Sequence, residues 1–378
     1  MTASRNERGF ALVGSIFALV VIAALISGAF FVSRQEMTVG RNSQTYARAF
    51  SAAEAGLNNT LANWAGVGSF NGLVVGDSAT VTATLAGNGG SYETVVRRMN
   101  DELFFVRTTG TDPSGSARRT LAGMTRLLTV EMMFRAALTT RNDLKLGGSA
   151  FVDGRDTDPS TWGCPAVPLD TLPAVRTSDS SQITTSGCNN FSCLTGDPKI
   201  EEDTTINDST FFKYGDTDWA ELTSMATKVY AGGATLNGMA PTGTATTCNT
   251  NVQGNWGEPT RGVGSIVGCY NYFPIIYVSG DLKLSGGYGQ GILLVEGNLD
   301  VQGGFEFYGP VIVRGALSTQ GTGGHFNGGL MAANVNLDLN NVLGDAVITY
   351  SSCAIERALN YNANGRLLRE RSWAEITR

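Results

Sequence analysis

From Phe10 to Val32 the chain runs through 23 residues without a charge. At about 1.5 Å of helical rise per residue, such a run crosses the roughly 30 Å hydrocarbon core of a bilayer. Arg5 and Arg8 precede it and Arg34 comes directly after. With so short a leading segment, the positive-inside tendency puts the N-terminus in the cytoplasm and everything after Arg34 outside. A secretory signal peptide cut near Ser27-Gly28-Ala29 is the alternative, but its apolar stretch should span only about 7–15 residues. The adjoining segment also argues for one continuous helix. Residues 34–64 hold no proline and two glycines, Gly40 and Gly56, while Ala47, Phe50, Leu57, Leu61 and Trp64 recur at helical spacing. The spacing predicts a helix that leaves the bilayer and turns amphipathic.

The rest of the chain has the composition of a β-rich body with many turns. Glycine supplies 48 of 378 residues, nearly double the usual share of about 7%. Lys plus Arg number 27 against 33 for Asp plus Glu, a net charge of −6, so there is no basic footprint for nucleic acid. Cys164, Cys188, Cys193, Cys248, Cys269 and Cys353 all fall on the outer side of the membrane. An even count in an oxidising compartment reads as up to three disulfides, with the pairing open. Zinc is the rival reading, but only Cys188 and Cys193 lie close together, slightly wider than a zinc pair, and His325 is the sole histidine.

After Trp64, alternating runs at residues 79–85, 92–98, 102–109 and 117–128, separated by Asn88-Gly89-Gly90, Asn100-Asp101 and Asp112-Pro113-Ser114-Gly115, predict an antiparallel meander that covers the helix stripe. A short helix over 129–138, with Met132, Met133 and Phe134, would lead to the next domain. Residues 155–270 carry five of the six cysteines and read as a loop-rich insertion with one helix, 218–230, capped by Asp218 and Glu221 and burying Trp219, Leu222, Ala226 and Val229. Residues 275–353 hold a repeat: the patterns starting at Val278, Val295, Val313 and Met331 succeed one another at 17, 18 and 18 residues. Each offers apolar residues two apart and a glycine turn. None could bury that face alone, so stacking as parallel β-helix rungs is expected, with a fifth rung at 347–353 and a strand added from 144–152. The tail, 357–378, is expected to cover the open end of the stack, with Trp373 shielding the last rung.

Motifs that carry chemistry are sparse. No G-x-S-x-G, Walker A, H-E-x-x-H or G-x-G-x-x-G sequence occurs. His325 lies among glycines, as an exposed turn residue would. Asp281, Glu296, Asp300, Glu306 and Asp338 fall on the repeats and are the candidates for a glycosidase-like carboxylate pair, although acidic residues on outward positions usually serve solubility and a fold alone does not establish activity. Asp153, Asp156 and Asp158 form a weak calcium candidate, for which a capped turn is the alternative. No cofactor is expected.

Gly9-Phe10, the apolar segment and the stretch Arg48-Ala49-Phe50-Ser51-Ala52-Ala53-Glu54-Ala55-Gly56-Leu57 together resemble the N-terminus of type IV pilins, most closely the PilX N-terminal family of pilus assembly proteins. The resemblance covers about the first 130 residues. It implies cleavage by the prepilin peptidase between Gly9 and Phe10, methylation of the new amino terminus, and an assembly helix that includes Gly14, Phe50, Glu54 and Leu57. Major pilins carry glutamate at the fifth mature residue, where this chain has Gly14; in the family that carboxylate pairs with the amino terminus of a neighbouring subunit. Its absence points to a minor, tip-associated subunit. The glycine-rich repeat also looks like the β-solenoid of polymer-forming bactofilins.

The sequence is thus read as an α+β chain: a leader over 1–9, the membrane-spanning half of a pilin helix over 10–33, a pilin-like αβ domain over 34–130, and a disulfide-braced β-rich domain over 131–378 with solenoid repeats at about 275–353. The expected role is a non-enzymatic minor pilin in pilus assembly, priming or adhesion. Its partners would be other pilins and minor pilins, the prepilin peptidase, the inner-membrane assembly machinery and membrane lipid. It would sit in the inner membrane and, after assembly, at the pilus or cell surface. A membrane-tethered solenoid adhesin and a carbohydrate-active β-helix enzyme are the alternatives.

Overall fold

The computed structural model describes residues 8–64, 70–87, 89–100, 102–128, 130–141, 143–164, 171–215, 217–262, 264–334, 340–368 and 373–376, with the backbone alone at 8–11, 128 and 364–366. Of the sequence expectations, those on Arg5, Asn88, Asp101, Thr129, Val335, Leu337 and Asp338 lie outside these residues. The chain divides into two units, the first made of residues up to 63, 73–126 and those from 367 onward, the second of 64–72 and 127–366.

In the first unit, α1 (Arg8–Ala62) is one unbroken helix of 55 residues. β1 (Ser78–Thr84), β2 (Ser91–Arg98), β3 (Leu103–Thr111) and β4 (Arg118–Leu128) form the expected antiparallel meander, with Thr82 opposite Glu93, Glu93 opposite Thr109 and Thr109 opposite Thr120. Side chains alternate across the sheet: Tyr92, Thr94 and Val96 are buried while Glu93 and Arg97 are exposed, so one face takes the helix. The helix meets it with its smallest side chains, Ala49, Ala52 and Ala53, followed by Leu57 and Thr60. Gly110 on β3 makes the close approach possible, because a Cβ there would stand 2.2 Å from both the Ala49 carbonyl oxygen and the Ala53 nitrogen.

That contact corrects the predicted stripe. Ala47 is exposed and Phe50 and Leu61 are only half-buried, so the buried face is turned toward the alanines. Trp64 belongs instead to the second unit, where its ring lies 5.0 Å from Phe70 and its Nε1 donates to Asn71 Oδ1 at 2.8 Å. The tail is also corrected. Trp373–Ile376 is a strand antiparallel to β4, with Ile376 opposite Thr120, and Trp373 is 52% exposed rather than shielding a rung.

The second unit is a three-sided parallel β-solenoid. One face stacks Lys228–Tyr230, Ile275–Val278, Ile292–Val295, residues 311–313, residues 330–332, Leu138–Thr140, Val175–Thr177 and Ile200–Glu202. A second runs from Ala234–Met239 through residues 282–285, Leu299–Gln302, Leu317–Gln320, Asn340–Val342 and Leu144–Gly147 to Ile183–Ser186. The third joins residues 288–290, 305–308 and 324–328 to Val347–Tyr350, Phe151–Asp153 and Leu194–Thr195. The sequence order of the rungs is therefore cut and rejoined. The stack starts at residue 228, winds to 350, and continues in space with residues 138–202.

Leucines, valines and phenylalanines from all three faces fill the interior, among them Leu293, Leu299, Leu317, Phe305 and Phe307. The first face is apolar on its outside as well, where Leu294, Ile312 and Met331 meet Phe211, Leu222 and the Ser352–Tyr361 helix. This explains why all four positions of Ile292–Val295 are buried. The repeated Gly-Asp/Asn pairs have a local chemical cause. Asp281 Oδ1 accepts from the Asn298 amide at 2.7 Å and Asn298 Oδ1 from the Ala316 amide at 2.7 Å, and a Cβ on Gly297 or Gly315 would fall 2.3 Å from those oxygens.

Several expectations about this unit change. Val313 pairs with Ala332, not Met331, because the turn after Gln320 is one residue longer than the turn after Gln302; Gln302 pairs with Gln320, but Phe305 pairs with Gly324. The fourth rung's second strand is Asn340–Val342, later than the spacing predicts. Residues 155–270 are not a plain insertion, since they supply rungs at both ends of the stack. The helix expected over 218–230 stops at Ser224, and Lys228–Tyr230 is a strand with Val229 52% exposed. Residues 130–137 form no helix. His325 is a half-buried strand residue between Glu306 and Val347, not a turn residue.

Candidate functional site

The uncharged run dictates a helix with no polar side, and the structure leaves that helix bare. Exposure of its large apolar side chains runs from 41% at Val21 to 69% at Phe17, Leu25 and Phe30. Among the described residues it is the one helix long and apolar enough to cross a membrane. Each such side chain gains about 1.5–3 kcal/mol when buried, so this surface demands lipid or other apolar helices. Gly9 and Phe10 lie in the first turn of α1. Gly14 faces open space, with nothing within 4 Å of where a Cβ would be.

Beyond Arg34 the same helix continues and, from Ala49 onward, packs against the meander. Leu57 is buried, Phe50 half-buried and Glu54 exposed. Asn59 Nδ2 donates to the Tyr92 hydroxyl at 2.6 Å, and Arg119 lies 4.5 Å from the Tyr46 ring while pairing with Glu375 at 2.9 Å. Those polar fasteners were not foreseen from sequence. Gly110 was legible in principle, since an isolated glycine within a strand pattern signals a close backbone approach. In the turn between β3 and β4, the Ser114 hydroxyl and the Ala117 amide hold the Asp112 carboxyl down at about 2.

The six cysteines pair as Cys164 with Cys353, Cys188 with Cys193 and Cys248 with Cys269. The first crosses the junction between residues 138–153 and 330–350. There Asp156 accepts from the Ser352 amide at 2.9 Å and from its hydroxyl at 2.6 Å, Thr157 N donates to Tyr350 O at 3.0 Å, and Asn340 Nδ2 to Thr140 Oγ1 at 3.0 Å.

These contacts bear on the calcium candidate. Asp153 is taken by Arg155 at 2.6 Å and Asp156 by Ser352, and among the described residues the only metal-like grouping joins Asp158 to two disulfide-bonded cysteines. Asp153, Asp156 and Asp158 are therefore not gathered into a cation site. Among the described residues the four rung carboxylates are likewise engaged: Asp281 with a backbone amide, Glu296 with Arg314 and, at 3.0 Å, with Trp219 Nε1, Asp300 with Lys283 at 3.6 Å, and Glu306 with the Tyr308 hydroxyl at 3.4 Å. Burial and the adjacent Glu306 push the Tyr308 hydroxyl up to about 12.

No protein-family model and no curated protein matches the chain. Among solved structures, the competence-associated pilin ComZ from Thermus thermophilus is similar over 88% of this chain and 97% of that one, at 14% identity and a TM-score of 0.25. An overlay that loose adds no weight to what the residues themselves support.

Proposed function

We propose that this chain is a membrane-anchored, pilin-like subunit of a type IV pilus or a related fibre, of the PilX-like minor kind. One observation carries the reading: a helix whose first half is apolar and uncovered on every side continues without a break into a half that lies on a four-stranded antiparallel meander. The Ala49, Ala52, Ala53 and Gly56 positions of the pilin-like motif support it, because they are the small residues that let helix and sheet approach. The prepilin peptidase would cut between Gly9 and Phe10, and the released helix would wait in the inner membrane before packing among those of other pilins. The body after Arg34 would lie outside the cytoplasm. The engaged rung carboxylates favour a structural rather than an enzymatic role.

Mass spectrometry of the mature amino terminus tests this. A chain beginning at N-methylated Phe10 is expected. An intact leader in the membrane fraction would replace the fibre reading with that of a tethered adhesin, and a soluble chain cut near Ala29 would remove both.

A further inference from the structure

A trough of about 1050 Å³ lies against the meander, bounded by Tyr46 of α1 and the helix-side Tyr92 and Arg119 as well as by the strands' outward residues. Strand alternation puts hydroxyl-bearing side chains along its floor. Thr82, Glu93, Thr109 and Thr120 form one cross-strand row, and Thr111 lies opposite Arg118 in the next. Thr109 and Thr120 share a hydrogen bond at 3.1 Å, and each retains further capacity, since a hydroxyl both donates and accepts.

Charge in the trough is sparse and mixed. Arg119 is committed to Glu375 and Tyr46. Arg107 and Arg118 are exposed and have no ion-pair partner among the described residues. They stand about four residues apart along the strand direction, roughly 13 Å at the usual rise. One small anion cannot bridge that gap; an extended ligand can.

We propose that this trough binds an acidic polysaccharide, a chain of sugars rich in hydroxyls and bearing carboxylates, with Arg107 and Arg118 taking carboxylates and the threonines taking sugar hydroxyls. A nucleic acid fits worse. Its closely spaced phosphates call for a continuous run of cations, whereas Arg107 and Arg118 stand far apart and Glu93 sits in the central row. The site goes beyond the fibre reading and stands without it, because a chain that never left the membrane would carry the same trough.

The test uses the full chain in detergent, titrated calorimetrically with tetragalacturonate, with its methyl ester, and with a single-stranded DNA oligonucleotide. Tetragalacturonate is expected to bind. Esterification, or the double substitution Arg107→Gln with Arg118→Gln, should weaken it about tenfold or more, since each removes charge-assisted hydrogen bonds. Thr109→Val with Thr111→Val should weaken both the acid and the ester, at an unchanged melting temperature. No binding of the acid, equal binding of acid and ester, indifference to the arginine substitutions, or tighter binding of DNA would each overturn the proposal. The amino terminus of the same preparation is measured separately, so either idea can fail alone.

Discussion

Gly110 leaves no room for even a methyl group, since the Ala49 carbonyl and the Ala53 nitrogen already occupy the space. Gly110→Ala should therefore push helix and sheet apart and cost about 1–3 kcal/mol, read as a lower urea midpoint. Gly40 is the control: a Cβ there meets nothing within 4 Å, so Gly40→Ala should be neutral or stabilising by about 0.5–1 kcal/mol. Asp112 makes a pH prediction. Its folded carboxyl titrates at about 2 against an ordinary 3.8. The stability it adds is present above about pH 4 and disappears as pH falls toward 2, because the unfolded state then binds the proton more readily. Asp112→Asn should lose less stability over that interval than the wild-type chain does, as followed by urea midpoints across the acid range.

At the scale of elements, the existence and extent of α1 were legible from an uncharged run followed by a proline-free amphipathic stretch, but the face it buries was not: the predicted stripe of Ala47, Phe50 and Leu61 gave way to Ala49, Ala52 and Ala53, with Leu57 common to both. The meander was legible from its two-residue period. The solenoid rungs at 275–332 could be read because apolar residues two apart recur every 17 or 18 residues, helped by the local hydrogen bonds that Asp281 and Asn298 make after their glycines. Their counterparts at Val175–Thr177 and Leu194–Thr195 could not, since two or three residues show no period and their partners lie far away in sequence. The helix expected through Tyr230 failed for a related reason: Trp219, Leu222, Ala226 and Val229 match a helical period, but Lys228 is buried by docking on Ile276 and donates to the Thr250 and Val252 carbonyls at 2.6 and 2.7 Å. Of the candidate sites, the bare helix was visible and the trough was not, since its rows exist only once four strands are in register. Under the proposed reading as a tip-associated minor subunit, a carboxylate at Gly14 would supply a pairing with a neighbouring amino terminus, so Gly14→Glu should move the protein into the shaft, as counted by immunogold labelling. Unchanged tip labelling would count against Gly14 as the cause of that placement.

On the scale of the whole molecule, the rejoined order of the rungs gives the three disulfides unequal weight. Cys164 and Cys353 are 189 residues apart and Cys188 and Cys193 only 5. Chain-entropy estimates for such loops are about 5 and about 2 kcal/mol respectively. Replacing the first pair with serine should lower the melting temperature well beyond the effect of replacing the second, and a similar loss from both would show that the junction does not depend on its covalent clasp. The junction also sets a timetable. Residues 138–202 leave the ribosome before the neighbours that cover their inner flank, 330–350. A nascent polypeptide must hold that raw flank open until residues 330–350 have been made, so a premature stop before them forfeits the first-made half of the coil along with the last.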